Sequence, residues 1–178
     1  LSALAHVHAR GVLHQDVKPD NIMVDTETWH AYLVDFGVAA IADEGSFDGA
    51  GTISVQMRGG TDAYLSPMQQ QLMSAARRTR EPTERDASTR SRLLTQHADL
   101  WGATATCLDM FCGGGGWRKE RRSATAWQNM GESLSELCKP GAMQVALPGA
   151  LVTVLESCFR DTSVGSSDDV LTAQRAAD

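Results

Sequence analysis

The chain has 178 residues, 42% of them hydrophobic and 21% charged, which suits one globular domain with a real core and excludes disorder throughout. Its 22 acidic residues outnumber 16 basic ones, giving a net charge of -6 that argues against a general nucleic-acid or anionic-membrane partner. No apolar run is long enough to cross a bilayer and no signal-peptide pattern opens the chain, so an intracellular, cytoplasmic location is expected.

Leu1, Leu4, Ala5 and His8 recur at helical spacing, and Gly11 is placed to end that helix as a C′ glycine does. Because the chain opens on Leu inside what reads as the last turns of a helix, it is expected to be a fragment. Val12-Leu13 reads as a short strand. After His14-Gln15-Asp16-Val17-Lys18-Pro19-Asp20-Asn21 come Ile22-Met23-Val24, the polar Asp25-Thr26-Glu27-Thr28 and Ala31-Tyr32-Leu33-Val34, which predict a small β-hairpin. Asp35-Phe36-Gly37 follows directly. From Val38 to Gly60 the sequence reads as a loop without sustained period. Ala75 to Arg92, rich in arginine and poor in apolar residues, reads as a solvated insertion, or as a docking face for an acidic partner. Leu93 to Cys112 predicts an apolar helix, and Leu151, Val154, Leu155 and Cys158 predict another within Pro148 to Arg160. Cys107, Cys112, Cys138 and Cys158 lack C-x-x-C spacing and are expected to be buried free thiols. His6 and His8, two apart on a helix, face different directions and make a poor metal pair.

A hairpin returns the chain to its start, so Asn21, just before the first strand, and Asp35, just after the second, are expected side by side. Together they offer hard oxygen ligands, and Mg²⁺ takes one or two protein ligands with water and substrate phosphates completing its shell. Asp16 is placed on the connecting loop to orient or deprotonate a hydroxyl. Lys18, two residues on, is placed to neutralise charge on a transferring phosphate. The set predicts metal-assisted phosphoryl transfer.

In these residues the chain resembles the C-terminal lobe of a eukaryotic-type serine/threonine protein kinase. The run from His14 to Asn21 matches the family's H-R-D-x-K-x-x-N catalytic loop except at Gln15, and Asp35-Phe36-Gly37 matches its D-F-G. Gly60-Thr61-Asp62-Ala63-Tyr64-Leu65-Ser66-Pro67 resembles the end of the activation segment, Asp99-Leu100-Trp101 the opening of the central helix, and Cys158-Phe159-Arg160-Asp161 a run late in the lobe. The resemblance implies an α+β, protein kinase-like fold. Residues 1–178 would form a predominantly helical C-lobe with short β-strands around the catalytic loop, as a partial domain with the arginine-rich insertion at about 75–92. It implies Asp16 as catalytic base, Lys18 as the phosphate-contacting lysine, Asn21 and Asp35 as magnesium ligands, and ATP as cosubstrate. Lys18 with Thr61, a substrate-positioning residue, implies Ser or Thr hydroxyls of protein substrates. His14 is implied as a structural histidine packed near Phe36.

The departures are specific. Gln15 replaces an arginine that in many members pairs with an activation-loop phosphate, which puts activation through Ser46, Thr52 or Ser54 in doubt. Met68 stands where a glutamate is usual and Gly165-Ser166-Ser167 where its arginine partner is; loss of both members of a buried pair implies a substituted contact. Thr104 takes a usual glycine position in the central helix. No glycine-rich phosphate loop precedes His14, and Gly113 to Gly116 reads as a flexible loop. A missing N-lobe of the same protein is therefore an implied partner, and the chain alone is expected to be inactive. Taken singly, Asp16, Asn21 and Asp35 have ordinary roles in caps and turns and Lys18 is a surface charge; the ordered series favours the site. Two other readings are a pseudokinase or scaffold binding module, disfavoured by retention of Asp16, Lys18, Asn21 and Asp35, and a small-molecule kinase of aminoglycoside or choline type, disfavoured by Thr61 to Pro67.

Overall fold

The computed structural model describes residues 1–43, 53, 55–78, 94–111 and 153. Helix α1 spans Ser2–His8 and ends where the sequence places its stop, with Gly11 at φ 71° donating its N–H to the His8 carbonyl at 2.9 Å. Strand β1 is Val12–Leu13, β2 is Ile22–Val24 and β3 is Ala31–Leu33. The expected hairpin is present: β2 and β3 pair antiparallel with Ile22 opposite Leu33, Met23 opposite Tyr32 and Val24 opposite Ala31. Its turn is organised by Asp25, whose Oδ1 accepts the N–H groups of Glu27 at 2.8 Å and Thr28 at 3.2 Å, while the Asp25 and His30 backbones close the loop. Trp29 takes φ 58° to complete it.

The stretch from Val38 to Gly60 departs from its loop reading. Ala40–Ile41 forms β4, antiparallel to β1 with Val12 opposite Ile41 and Leu13 opposite Ala40, and Val55 forms an antiparallel bridge with Leu94. A two-residue strand has no room for a period, and it exists because β1 supplies partners for its backbone groups. Helix α2, Pro67–Arg78, likewise runs into what reads as insertion from Ala75. Its start is a capping box: Gln69 N–H donates to Ser66 Oγ at 3.3 Å and Ser66 N–H to Gln69 Oε1 at 2.9 Å, with Pro67 at the first helical position. Helix α3, Gln96–Phe111, begins later than Leu93 because Leu94 is engaged with Val55. Cys107 is in no disulfide, as expected, but is half-buried. Cys112, Cys138, Cys158, Gly113 to Gly116 and Gly165 to Ser167 lie outside the described residues, as does the helix expected over 148–160 apart from Thr153, which is helical.

Two apolar clusters flank the loop that follows β1. Leu13, Ala40, Ile53, Val55, Leu94 and Ala98 form one, and Leu4, Val17 and Leu100 the other, with Leu33 and Ala103 packed on it. α3 is buried on nearly every side, so it shows no amphipathic stripe. At Gly102 the helix meets the loop backbone: a Cβ there would lie 2.8 Å from the Val17 carbonyl oxygen, so only glycine allows this approach. Thr104, whose cost the sequence leaves open, satisfies its buried hydroxyl by donating to the Leu100 carbonyl at 2.8 Å.

The loop's backbone is carried by Asp99, which is 1% exposed on α3. Its Oδ2 accepts the His14 N–H at 2.8 Å and meets His8 Nε2 at 2.8 Å, and its Oδ1 accepts the Gln15 N–H at 2.7 Å. Replacing Asp99 with alanine strands three buried donors, so Asp99→Ala should cost on the order of 3–5 kcal/mol of stability, read as a fall in denaturant midpoint.

Asp25 gives a pH prediction. The Thr28 hydroxyl, then the Glu27 and Thr28 N–H groups, hold its carboxyl below the ordinary carboxylate range. A depressed folded pKa contributes stability that is present above the unfolded value of about 3.9 and is lost as pH falls through the folded one. The stability gap between the parent chain and Asp25→Ala should therefore be full at neutral pH and shrink in acid, as paired thermal melts across that window will show.

Candidate active site

Between β1 and β2 the chain makes no ladder of its own, so its polar groups are met by side chains. Lys18 Nζ donates to Asp16 Oδ2 at 2.8 Å and to Thr61 Oγ1 at 2.7 Å. Thr61 N–H donates to Asp16 Oδ1 at 2.7 Å. Asn21 Nδ2 donates to the Asp16 carbonyl at 2.8 Å and, at 3.3 Å, to Asp16 Oδ2. The Asp16 and Lys18 side chains are 12% and 19% exposed, so the pair is sheltered but open to a reactant. Burial raises the Asp16 pKa, but the hydrogen bonds from Lys18 and Thr61 and the Lys18 charge outweigh it and hold the carboxyl below its ordinary value.

A 3₁₀ turn, Pro19–Asn21, delivers the buried Asn21 to the foot of the hairpin. There the Asn21 carbonyl accepts the Val34 N–H at 2.9 Å, one residue before Asp35. Asp35 is exposed, at φ 61°, and its Oδ1 accepts the Gly37 N–H at 3.1 Å. Direct hydrogen bonds thus join Asp16, Lys18, Asn21 and Thr61, while Asp35 is brought to the same end of the hairpin by backbone pairing.

His14 fills the structural role expected of it. Its Nδ1 accepts the Asp16 N–H at 3.3 Å, which makes Nε2 the donor to the Val34 carbonyl at 3.0 Å, and its ring meets Phe36 edge-on with centroids 4.8 Å apart. One imidazole therefore links the Asp16 backbone to the residue that follows β3 and precedes Asp35.

The donor set fits a hard cation. Asn21 Nδ2 is engaged by Asp16, so the atom this residue can turn to a cation is Oδ1, and Asp35, brought to the same end of the hairpin by backbone pairing, offers a carboxylate. Among the described residues no three His, Cys, Asp or Glu side chains are gathered into a protein-only cage, and Mg²⁺ needs only one or two protein ligands.

Gln15 and Gln69 are site neighbours that sequence reading misses. Gln15 reads only as a lost arginine, yet its side chain grips the backbone at Gln56 and Arg58. Gln69 carries a signal, the Ser66-x-x-Gln69 capping box, but its second bond, from Nε2 to the Gln15 carbonyl at 3.1 Å, joins residues 54 positions apart. Met68 is exposed on the first turn of α2.

A family model described as "Protein kinase domain" matches residues 1–150. This chain belongs to the protein kinase domain family. The kinase domain is 31% identical over 113 residues to a "Probable cAMP-dependent protein kinase catalytic subunit" of Encephalitozoon cuniculi, covering 64% of this chain and 26% of that protein. It is 29% identical over 126 residues to a "Negative regulator of sexual conjugation and meiosis" of Schizosaccharomyces pombe, covering 67% and 24%. It is 46% identical over 66 residues to the "Serine/threonine-protein kinase PknD" of Mycobacterium tuberculosis, covering 37% and 9%. The aligned part is about a quarter or less of each of these relatives. Protein kinase domains use ATP and a divalent metal. Among the described residues no helix is long and apolar enough to cross a membrane.

Proposed function

We propose that this chain is the C-terminal lobe of a serine/threonine protein kinase, supplying the catalytic loop for transfer of the ATP γ-phosphate to Ser or Thr hydroxyls of protein substrates. The observation that carries the reading is Lys18 Nζ bridging Asp16 Oδ2 and Thr61 Oγ1, with Asn21 on the same carboxylate. An ordinary surface aspartate has no need of three such neighbours.

Each residue has a task in that reaction. Asp16 orients the substrate hydroxyl and accepts its proton as the oxygen attacks phosphorus; the low pKa keeps the carboxylate ionised and ready as an acceptor. Lys18 sets a positive charge beside the carboxylate, where negative charge on the transferring phosphoryl is to be met. Asn21 and Asp35 are the residues suited to hold magnesium, which when bound neutralises the nucleotide's phosphates. Thr61 fixes both Asp16 and Lys18 from the segment preceding α2. The preference for Ser or Thr is supported by the Lys18–Thr61 pairing and by similarity to serine/threonine-protein kinases such as PknD.

In the protein that carries this chain, Asp16→Asn should lower kcat by about 100-fold or more while ATP affinity stays within about threefold. Asp35→Ala should weaken magnesium-dependent nucleotide binding as well. Steady-state assays on Ser/Thr peptides with nucleotide titrations decide, and undiminished turnover in Asp16→Asn would defeat the assignment. A second series separates the hydroxyl from the backbone at Thr61. Thr61→Ala should lower peptide turnover by about tenfold, whereas Thr61→Ser, which keeps the Lys18 acceptor, should stay close to the parent rate.

A further inference from the structure

We infer that two buried neutral amides, Gln15 and Gln69, are positioning residues that clamp the segment from Gln56 to Ser66 onto the catalytic loop and so hold Thr61 against Asp16 and Lys18. Only the kinetic consequence of this clamp rests on the phosphoryl-transfer reading.

Residues Gln56 to Ser66 form no helix or strand, and the turn bond from Tyr64 N–H to the Thr61 carbonyl at 2.8 Å is too local to place the segment. Yet Thr61 must arrive within hydrogen-bond reach of two catalytic-loop side chains. Upstream, Gln15 Nε2 donates to the Gln56 carbonyl at 2.9 Å and Gln15 Oε1 accepts the Arg58 N–H at 2.7 Å. The two groups flank Met57 and alternate acceptor and donor, as they would toward a neighbouring strand; the planar carboxamide supplies both complements at once. Downstream, Gln69 Oε1 accepts the Ser66 N–H at 2.9 Å and Gln69 Nε2 donates to the Gln15 carbonyl at 3.1 Å. Tyr64 adds a hydroxyl bond to Asp109 on α3 at 2.7 Å. Thr61 lies between these attachments.

Gln15 is the shared node. Its N–H is on Asp99, its carbonyl on Gln69 and both side-chain polar atoms on the segment, so all of its polar groups are engaged inside the fold. It is 2% exposed and held at φ 67°, a left-handed conformation that non-glycine residues adopt at a cost. Such a conformation persists where surrounding contacts over-determine it, and here they do. The bonds that the two carboxamides make to Gln56, Arg58, Ser66 and the Gln15 carbonyl join neutral groups and depend little on ionic strength.

Hydrogen exchange on the protein carrying this chain tests the clamp without requiring activity. In Gln15→Met, similar in size but without the carboxamide, the Arg58 and Thr61 amides should lose about tenfold or more of their protection while Ala105 and Leu108 in α3 keep theirs. In Gln69→Met the Ser66 and Thr61 amides should loosen. If Gln15→Met does not fold, Gln15→Asn, which keeps the amide but shortens its reach, should give the same local pattern. On peptides, either glutamine variant should lower kcat/KM by about 10–100-fold while the KM for ATP stays within about twofold. Unchanged protection at Arg58 and Thr61, or a loss spread evenly over α3, would overturn the inference. An inactive parent protein with the local exchange pattern intact would count against the kinase reading and leave the clamp standing.

Discussion

The arrangement of this domain depends on one buried carboxylate. Asp99 sits on a helix enclosed by the core and receives the N–H groups of His14 and Gln15 together with His8 Nε2. The loop from His14 to Asn21 has no ladder to satisfy its backbone, and unmet buried donors are costly, so a charged acceptor does what a strand would otherwise do. The loop is thereby held in place up to the 3₁₀ turn at Pro19–Asn21. The left-handed backbone at Gln15 becomes tolerable because its N–H has a strong partner.

From that anchor the other contacts extend in order. Gly102 lets α3 approach the Val17 carbonyl, and Val17 packs with Leu4 and Leu100 beneath the loop. His14 carries the loop's position to Val34 and Phe36, and the Asn21 carbonyl carries it to the Val34 N–H. Asp16, Lys18, Asn21 and Thr61 are thereby set in one hydrogen-bonded group before any reactant arrives. Fixed dipoles and charges of this kind need no reorganisation during a reaction, which is the physical case for preorganised sites.

The substituted motif positions share a theme. Gln15 stands where an arginine is usual and answers backbone groups with a neutral amide. Thr104 stands where a glycine is usual and returns its hydroxyl to its own helix. Met68 stands where a glutamate is usual and is exposed, while the next residue, Gln69, carries the polar contacts of that turn. Each polar replacement satisfies itself inside the fold, so these departures are compatible with a well-formed site.

Much of this was legible in the residues alone. The spacing of Leu1, Leu4, Ala5 and His8, the stop at Gly11, the strands at Val12, Ile22 and Ala31 and the apolar helix before Cys112 all follow from local period and turn chemistry, and each appears within a few residues of its expected place. The convergence of Asn21 with the residue before Asp35 follows from hairpin geometry. What local pattern cannot encode is a partner far along the chain. β4 exists because β1 offers its edge, α3 starts late because Leu94 is held by Val55, and the roles of Asp99, Gln15 and Gln69 rest on hydrogen bonds to residues between 41 and 91 positions away. A side chain's identity is written in the sequence; which donor it meets is set when the helices and loops pack, because a buried polar group must take the partner that packing places within reach.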